Sequence, residues 1–151
     1  MSAPPFFLIA ATEADYTWLW ELKRLTMRPY VEQTWGTWDE TLQSDFFRKN
    51  FRGETVQLVM LGGMRAGLLE VHHERGEIFL ANIQIHPEFQ NQGLGTAVIA
   101  SVQESAKNLG GSIRLQVLKV NNDARELYAR LGFNRYGETL THVLLRWTPY
   151  R

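Results

Sequence analysis

One stretch constrains this chain more than any other. It is an alternating apolar run that ends at a proline, followed by a short loop with two glycines and then a long amphipathic stripe. From Glu77 to His86, Phe79, Ala81, Ile83 and Ile85 fall at every second position, which predicts a strand with these four on one face. Pro87 lacks a backbone donor and ends it. Beyond Gln90-Asn91-Gln92-Gly93-Leu94-Gly95-Thr96, the residues Leu94, Val98, Val102, Ala106 and Leu109 recur at helical spacing. That predicts a helix from about Gln92 to Leu109, stopped by Gly110-Gly111. A helix N-terminus offers unpaired N–H groups and a partial positive charge. Gly93 and Gly95 have no Cβ, so the oxygens of a pyrophosphate could come close to those N–H groups without the help of a lysine.

Two other phosphate motifs fail on this stretch. A dinucleotide fingerprint needs a third small residue at position 98, where Val98 stands. The Gly-Lys-Ser/Thr of a nucleotide-triphosphate loop occurs nowhere in the chain. A glycine turn serving only tight strand–helix packing would account for a lone Gly-x-Gly equally well, so the rest of the chain has to decide.

Phe6 to Ala11 reads as a first strand. Thr12 is placed to cap a helix of about Glu13 to Leu25, with Leu19, Leu22 and Leu25 on one side. Met27 to Trp38 reads as an aromatic-rich connection. Thr37 and Glu40 have capping-box spacing, and Leu42, Phe46 and Phe47 would line the inner face of the helix that follows. Val56 to Leu61, Met64 to His73 and Glu77 to His86 read as three strands joined at Gly62-Gly63 and Arg75-Gly76. After the long helix, Ile113 to Val120 reads as a strand. Asn121 or Asn122 then caps a short helix bearing Ala124, Leu127, Tyr128 and Leu131. Phe133 to Tyr136 and Leu140 to Trp147 close the chain as strands turning at Gly137. The order βααβββαβαββ implies an α/β (α+β) fold, with a mixed, mostly antiparallel central sheet and helices on both faces.

No repeat or linker divides the 151 residues, so residues 1–151 read as a single domain. Sixteen basic residues balance sixteen acidic ones, which argues against a nucleic-acid partner. The absence of cysteine excludes disulfides and an acyl-cysteine intermediate. His72 and His73 point to opposite faces of a strand, and His86 and His142 have no ligand spacing, so no metal is expected. The apolar run Phe6 to Ala11 is too short for a membrane span and poor as a signal peptide. These features predict a cytoplasmic protein with no membrane partner, and they leave a homodimer open.

Three segments carry a family resemblance: Gln90-x-x-Gly93-x-Gly95, the lead-in Ala81-Asn82-Ile83-Gln84-Ile85-His86-Pro87, and Asn121-x-x-Ala124-x-x-Leu127-Tyr128-x-x-x-Gly132-Phe133. Together they resemble the GNAT-type N-acetyltransferases, with the two motifs at the spacing usual for that family. The resemblance covers residues 80 to 135, and the N-terminal half agrees in element order. It implies that acetyl-coenzyme A is the acyl donor, with its pyrophosphate on Gln90, Asn91, Gln92, Gly93, Leu94, Gly95 and Thr96. It also implies a V-shaped opening in the sheet between the strand ending near His86 and the strand beginning near Ile113. The pantetheine arm would bond there to backbone at Ile83 and Ile85, and a bulge near Gln84 or Ile85 would free an N–H for the thioester carbonyl. Asn121 would double as helix cap and coenzyme contact.

Transfer to an amine requires a neutral nucleophile, a stabilised oxyanion and a proton for the leaving thiolate. The resemblance gives Tyr128 the last task, since a phenol with a pKa of about 10 is protonated at neutral pH. Periodicity alone would make Tyr128 a core residue. The backbone N–H of Ile85 would serve the oxyanion. Some relatives carry a glutamate where Asn82 stands, and an amide cannot take a proton. Glu70 and His72, on one face of the preceding strand, are then the candidate bases, unless that face is merely solvated. Without a base, neutralising a lysine-like amine at pH 7 costs about 4.6 kcal/mol, against about 1 kcal/mol for an α-amine. Tyr30, Glu32, Trp35, Trp38 and Asp39, together with Asn82, are candidates to frame a cationic or aromatic amine, small-molecule or peptide. The expected function is transfer of an acetyl group from acetyl-coenzyme A to a primary amine through a ternary complex. Two other readings are a non-catalytic acyl-coenzyme A-binding regulatory module and an unrelated α/β domain.

Overall fold

The structure is a computed structural model that describes residues 5–149. Its elements follow the expected order: β1 (Phe7–Ala10), α1 (Tyr16–Trp35), α2 (Glu40–Asn50), β2 (Val56–Leu61), β3 (Met64–Glu74), β4 (Glu77–Ile85), α3 (Leu94–Leu109), β5 (Ile113–Leu118), α4 (Asn122–Arg130), β6 (Asn134–Glu138) and β7 (His142–Trp147). The seven strands form one mixed sheet in the order β1-β2-β3-β4-β5-β7-β6. β4 and β5 run parallel, while β1–β2, β2–β3, β5–β7 and β6–β7 are antiparallel.

The chain makes two compact units. The first comprises residues up to 70 together with 82–94, and the second 71–81 and 95 onward. In the first unit, Leu19 and Leu22 of α1 pack on Ala11, Val56, Leu58 and Leu68, with Trp18, Phe47, Phe51 and Met60 around them. In the second, α3 contributes Val98, Ile99, Val102 and Ala106 to the interior, and Ile113, Leu115, Val117, Val143 and Leu145 supply buried strand residues.

Several sequence expectations need correcting. The first helix runs ten residues past Leu25, through Pro29 to Trp35, and ends on Gly36 at φ 90°. A proline interrupts one hydrogen bond of a helix but does not end it where tertiary packing on both sides holds it, and Val31 is buried just beyond. A turn of 3-10 helix, Glu13–Asp15, precedes α1, and the Thr12 N–H and hydroxyl both donate to Asp15 Oδ2. Leu25 is exposed, because six residues on from Leu19 the helix has turned away from the core. The cap of α2 is Asp39 rather than Thr37, its Oδ1 accepting from the Leu42 N–H at 2.9 Å. Leu42 and Phe46 point outward, and Phe47 alone of the three turns in, against Tyr16, Trp20 and Phe51. α3 starts at Leu94, two residues later than expected, and Leu109 at its end is exposed. Gly137 lies within β6, so the closing turn falls at residues 139–141.

The alternation of β4 is also broken once. The Ile78 N–H donates to Ser112 O on the β5 side, whereas the His86 N–H donates to Ala66 O on the β3 side. Eight residues apart in a regular strand, both would point the same way. Side chains agree: Phe79 meets His72 and Asn82 meets Glu70, so residues three apart on β4 face residues two apart on β3. One extra residue therefore sits in β4 between Ile78 and His86.

Candidate active site

β4 leads into the loop with its backbone oriented for use. The Ile85 C=O, across the peptide from the His86 N–H, points away from β3 and accepts from Gln90 Nε2 at 2.8 Å. In extended backbone the N–H and C=O of one residue share an edge, so the Ile85 N–H faces the same way, as do the backbone groups of Ile83. β3 approaches closely on the other edge, where a Cβ at Gly67 would lie 2.4 Å from Gln84 O. Only glycine fits there.

Pro87–Phe89 form a single 3-10 turn, capped by His86 Nδ1, which accepts from the Glu88 N–H at 3.1 Å. A neutral His86 therefore carries its proton on Nε2. Gln92 Nε2 donates to Glu88 O at 3.2 Å, tying the loop back to this turn. Two loop residues are left-handed, Asn91 at φ 63° and Gly93 at φ 80°. Asparagine is the commonest non-glycine residue to tolerate that conformation, so Asn91 was a readable signal that composition alone did not reveal. Left-handed turns of this kind gather backbone N–H groups into an anion-binding concavity. Gln90, Asn91, Gln92 and Gly93 are exposed, Gly95 and Thr96 are partly so, and Leu94 is buried as the first residue of α3.

In the second unit, Asn121 Oδ1 accepts from the Ala124 N–H at 3.2 Å and starts α4, which carries Tyr128 inward. Tyr128 is 6% exposed, with its ring 5.5 Å from that of Phe133. Burial pushes its phenol pKa well up, so it stays protonated across the neutral and alkaline range. The same burial predicts a stability effect. The phenol's folded-state value is raised, so the stability it confers is complete below about pH 10, the unfolded value, and is lost as pH rises from there toward the folded value. Thermal melts between pH 9 and 12 should show this loss, and Tyr128→Phe should flatten the curve.

Glu70 Oε1 accepts from Asn82 Nδ2 at 3.0 Å, so a carboxylate stands beside Asn82. In the second unit, His72 packs on the Phe79 ring at 6.3 Å. Within the aromatic segment, Trp38 is 9% exposed, stacks on Trp20 at 6.0 Å and donates from Nε1 to Glu40 at 2.9 Å, so its ring is part of the packing. Trp35 is 56% exposed at the end of α1. Glu32 receives Arg28 Nε at 3.4 Å, and Tyr30 lies partly buried one helical turn before Thr34, whose hydroxyl bonds the Tyr30 carbonyl. Among the described residues no group of three or more His, Asp or Glu is arranged to hold a metal ion, and no helix is long and apolar enough to cross a membrane.

Known proteins resemble this chain in sequence and in fold. Residues 26–151 match the acetyltransferase (GNAT) domain family. The chain is 32% identical over 107 residues to the thialysine N-epsilon-acetyltransferase of Mus musculus, a match covering 62% of this chain and 63% of that protein. A 56-residue segment is 43% identical to the enzyme of the same name from Bos taurus, covering 36% and 33%. The matched segments thus span less than two thirds of these relatives. Among solved structures, the PaiA N-acetyltransferase of Thermoplasma acidophilum in complex with coenzyme A superposes with a TM-score of 0.75 at 15% identity, covering 95% of this chain and 99% of that one. The ribosomal-protein-S18-alanine N-acetyltransferase of Escherichia coli gives 0.72 at 19% identity, covering 95% and 94%.

Proposed function

This chain belongs to the GNAT acetyltransferase family, and on that footing we propose that it moves an acetyl group from acetyl-coenzyme A to a primary amine within a ternary complex. The observation that carries the reading is the loop, where left-handed Asn91 and Gly93 turn the chain into the N-terminus of a 16-residue helix. In this reading the amides of Gln90 to Thr96 hold the pyrophosphate and Asn121 adds a side-chain contact. The pantetheine arm lies along the free edge of β4, bonding to the backbone of Ile83 and Ile85 on either side of Gln84, with the Ile85 N–H serving the oxyanion. Tyr128 protonates the leaving thiolate. The 151 residues act as one domain, in the cytoplasm, where the donor is available.

Glu70 is the better-supported base, because its carboxylate already meets Asn82, and His72 is the second candidate. That carboxylate also favours catalysis over a merely regulatory coenzyme-binding module. We expect Glu70→Gln to lower turnover and turnover over acceptor KM at saturating coenzyme by about 10²-fold, within the range usual for general bases. His72→Gln should leave both within threefold. If both variants keep the parent constants, neither residue is the base, and an α-amine or another low-pKa acceptor becomes the favoured substrate.

Tyr30, Glu32 and Trp35 frame the acceptor, with Trp38 fixing the helix junction behind them. Rings over a cation contribute about 0.5–2 kcal/mol, so Trp35→Ala should raise acceptor KM between about two- and thirtyfold. Its exposure means the thermal midpoint should not move. A lowered midpoint with unchanged KM would return Trp35 to a packing role.

A thermal-shift screen with coenzyme A thioesters, followed by an amine panel, tests the function as a whole. Acetyl-coenzyme A at a hundred times its dissociation constant should stabilise the fold by about 2.7 kcal/mol. No shift with any thioester would leave the unrelated-domain reading standing.

A further inference from the structure

Gln84 is 7% exposed, and its Oε1 is buried without a hydrogen-bond partner. Among the described residues two other buried side-chain nitrogens also lack a well-directed hydrogen bond, Arg24 Nε and Arg146 Nε, but each has a carboxylate oxygen close by, at 2.9 Å on Glu40 and 3.4 Å on Glu77. No hydrogen bond and no ion pair does the same for the Gln84 oxygen. Native proteins keep few such groups, and one that persists calls for a role.

Its position in the first unit suggests which role. Glu70 and Asn82 meet across β3 and β4, so one step further along each strand Leu68 and Gln84 share the same face. Leu68 packs beneath Leu19 and Leu22 of α1. One step further again, the His86 ring stacks on Trp18 of α1 at 6.2 Å. Asn82, Gln84 and His86 thus form a row turned toward α1, with the Glu70 carboxylate at one end and the Trp18 ring at the other. Ile83 and Ile85, whose backbone edge is proposed for the thioester, send their side chains to the opposite face.

We propose that Gln84 Oε1 binds the acceptor, taking one N–H of the incoming amine and so aiming the nitrogen lone pair at the thioester carbonyl. This inference rests on the acetyl-transfer reading. In the reaction the amine nitrogen bonds to the carbonyl carbon, the carbon–sulfur bond breaks, the thiolate gains a proton from Tyr128, and the nitrogen loses one toward Glu70. A neutral amide can hold the amine but cannot deprotonate it, so Gln84 and Glu70 divide holding and proton removal between them. No hydrogen bond fixes the Gln84 oxygen, so rotation about its own χ angles can present it to a ligand. The oxygen accepts only, which selects acceptors that still carry an N–H when they attack. Primary and unhindered secondary amines qualify.

Gln84→Met keeps the shape of the side chain and removes its polar atoms while leaving the backbone in place. Three quantities are measured: acetyl-coenzyme A affinity by calorimetry, the thermal midpoint, and the steady-state constants for the best amine of the panel. The expected result is a midpoint at or above the parent's, coenzyme affinity within twofold, and an acceptor KM raised about tenfold, the loss of one neutral hydrogen bond. Gln84→Leu serves the same purpose should the methionine variant fold poorly. A lowered midpoint with unchanged acceptor KM makes Gln84 structural and overturns the inference. So does unchanged KM with an unchanged midpoint. If the unaltered protein binds no thioester and acetylates no amine, the transfer reading fails first and the inference falls with it. Coenzyme binding and turnover in the parent separate that failure from a failure specific to Gln84.

Discussion

Gly93→Val is expected to abolish measurable acetyl-coenzyme A binding while leaving a folded protein. Gly93 sits at φ 80°, one residue before α3 begins. An L-residue there costs roughly 1–2 kcal/mol, and a β-branched side chain more, because its Cβ crowds the neighbouring carbonyl. Gly93 is exposed in the loop, so the strain is relieved by local rearrangement rather than by loss of the core. That rearrangement turns the amides away from the pyrophosphate. Each hydrogen bond to a charged group contributes about 1.5–3 kcal/mol, so losing two weakens binding by more than about a hundredfold. Calorimetric titration with circular dichroism as the fold check reads both halves of the expectation. Asn91→Gly is the informative control: it relieves the left-handed strain at φ 63° and should bind at least as well as the parent. Undiminished affinity in Gly93→Val would remove the loop from the coenzyme site.

What could be read from the sequence divides along a physical line. Elements whose period is written in the side chains were legible, among them β2, β3 and the stripe of α3 with Leu94, Val98, Val102 and Ala106 buried. Asn121 as a cap was legible because a side-chain oxygen next to a free N–H is a local interaction. Features decided by tertiary packing were not. Pro29 looks like a helix stop to any local reading, yet burial of Val31 holds α1 together past it. Leu42 and Phe46 look like an inner face, yet Tyr16, Trp20 and Phe51 already fill the space beneath α2 with Phe47. The extra residue in β4 leaves no mark on composition. It separates a regular alternation into two halves, and only the opposed hydrogen bonds of Ile78 and His86 reveal it. Its consequence reaches the chemistry, because it turns Asn82 and Gln84 toward the face of Glu70 and α1. Candidate residues for a site could therefore be named in advance, but the way neighbouring positions of β4 face could not.

Tyr128→Phe is expected to lower turnover by about 10²-fold or more while coenzyme affinity stays within twofold, the range of a lost general acid. The substitution keeps the ring and its 5.5 Å contact with Phe133 and removes only the hydroxyl, so the packing of α4 on Phe133 is retained. The raised pKa sharpens the expectation. A phenol kept protonated by burial remains a proton donor at neutral pH, and it gives up its proton readily only to a strong base created nearby. In the proposed reaction the leaving thiolate is that base. The donor is thus matched to the moment of carbon–sulfur cleavage and stays inert in the ground state. The interaction is made only in the transition state, so turnover and turnover over KM should fall by the same factor. Single-turnover kinetics with acetyl-coenzyme A and a saturating amine isolate the chemical step from product release. A donor thioester with a better leaving group, such as S-phenyl thioacetate supplied in place of acetyl-coenzyme A, should be far less sensitive to the change, because its thiolate needs no proton. Equal sensitivity to leaving groups in parent and variant, or an unchanged single-turnover rate, would make Tyr128 a core residue and return the search for the proton donor to solvent.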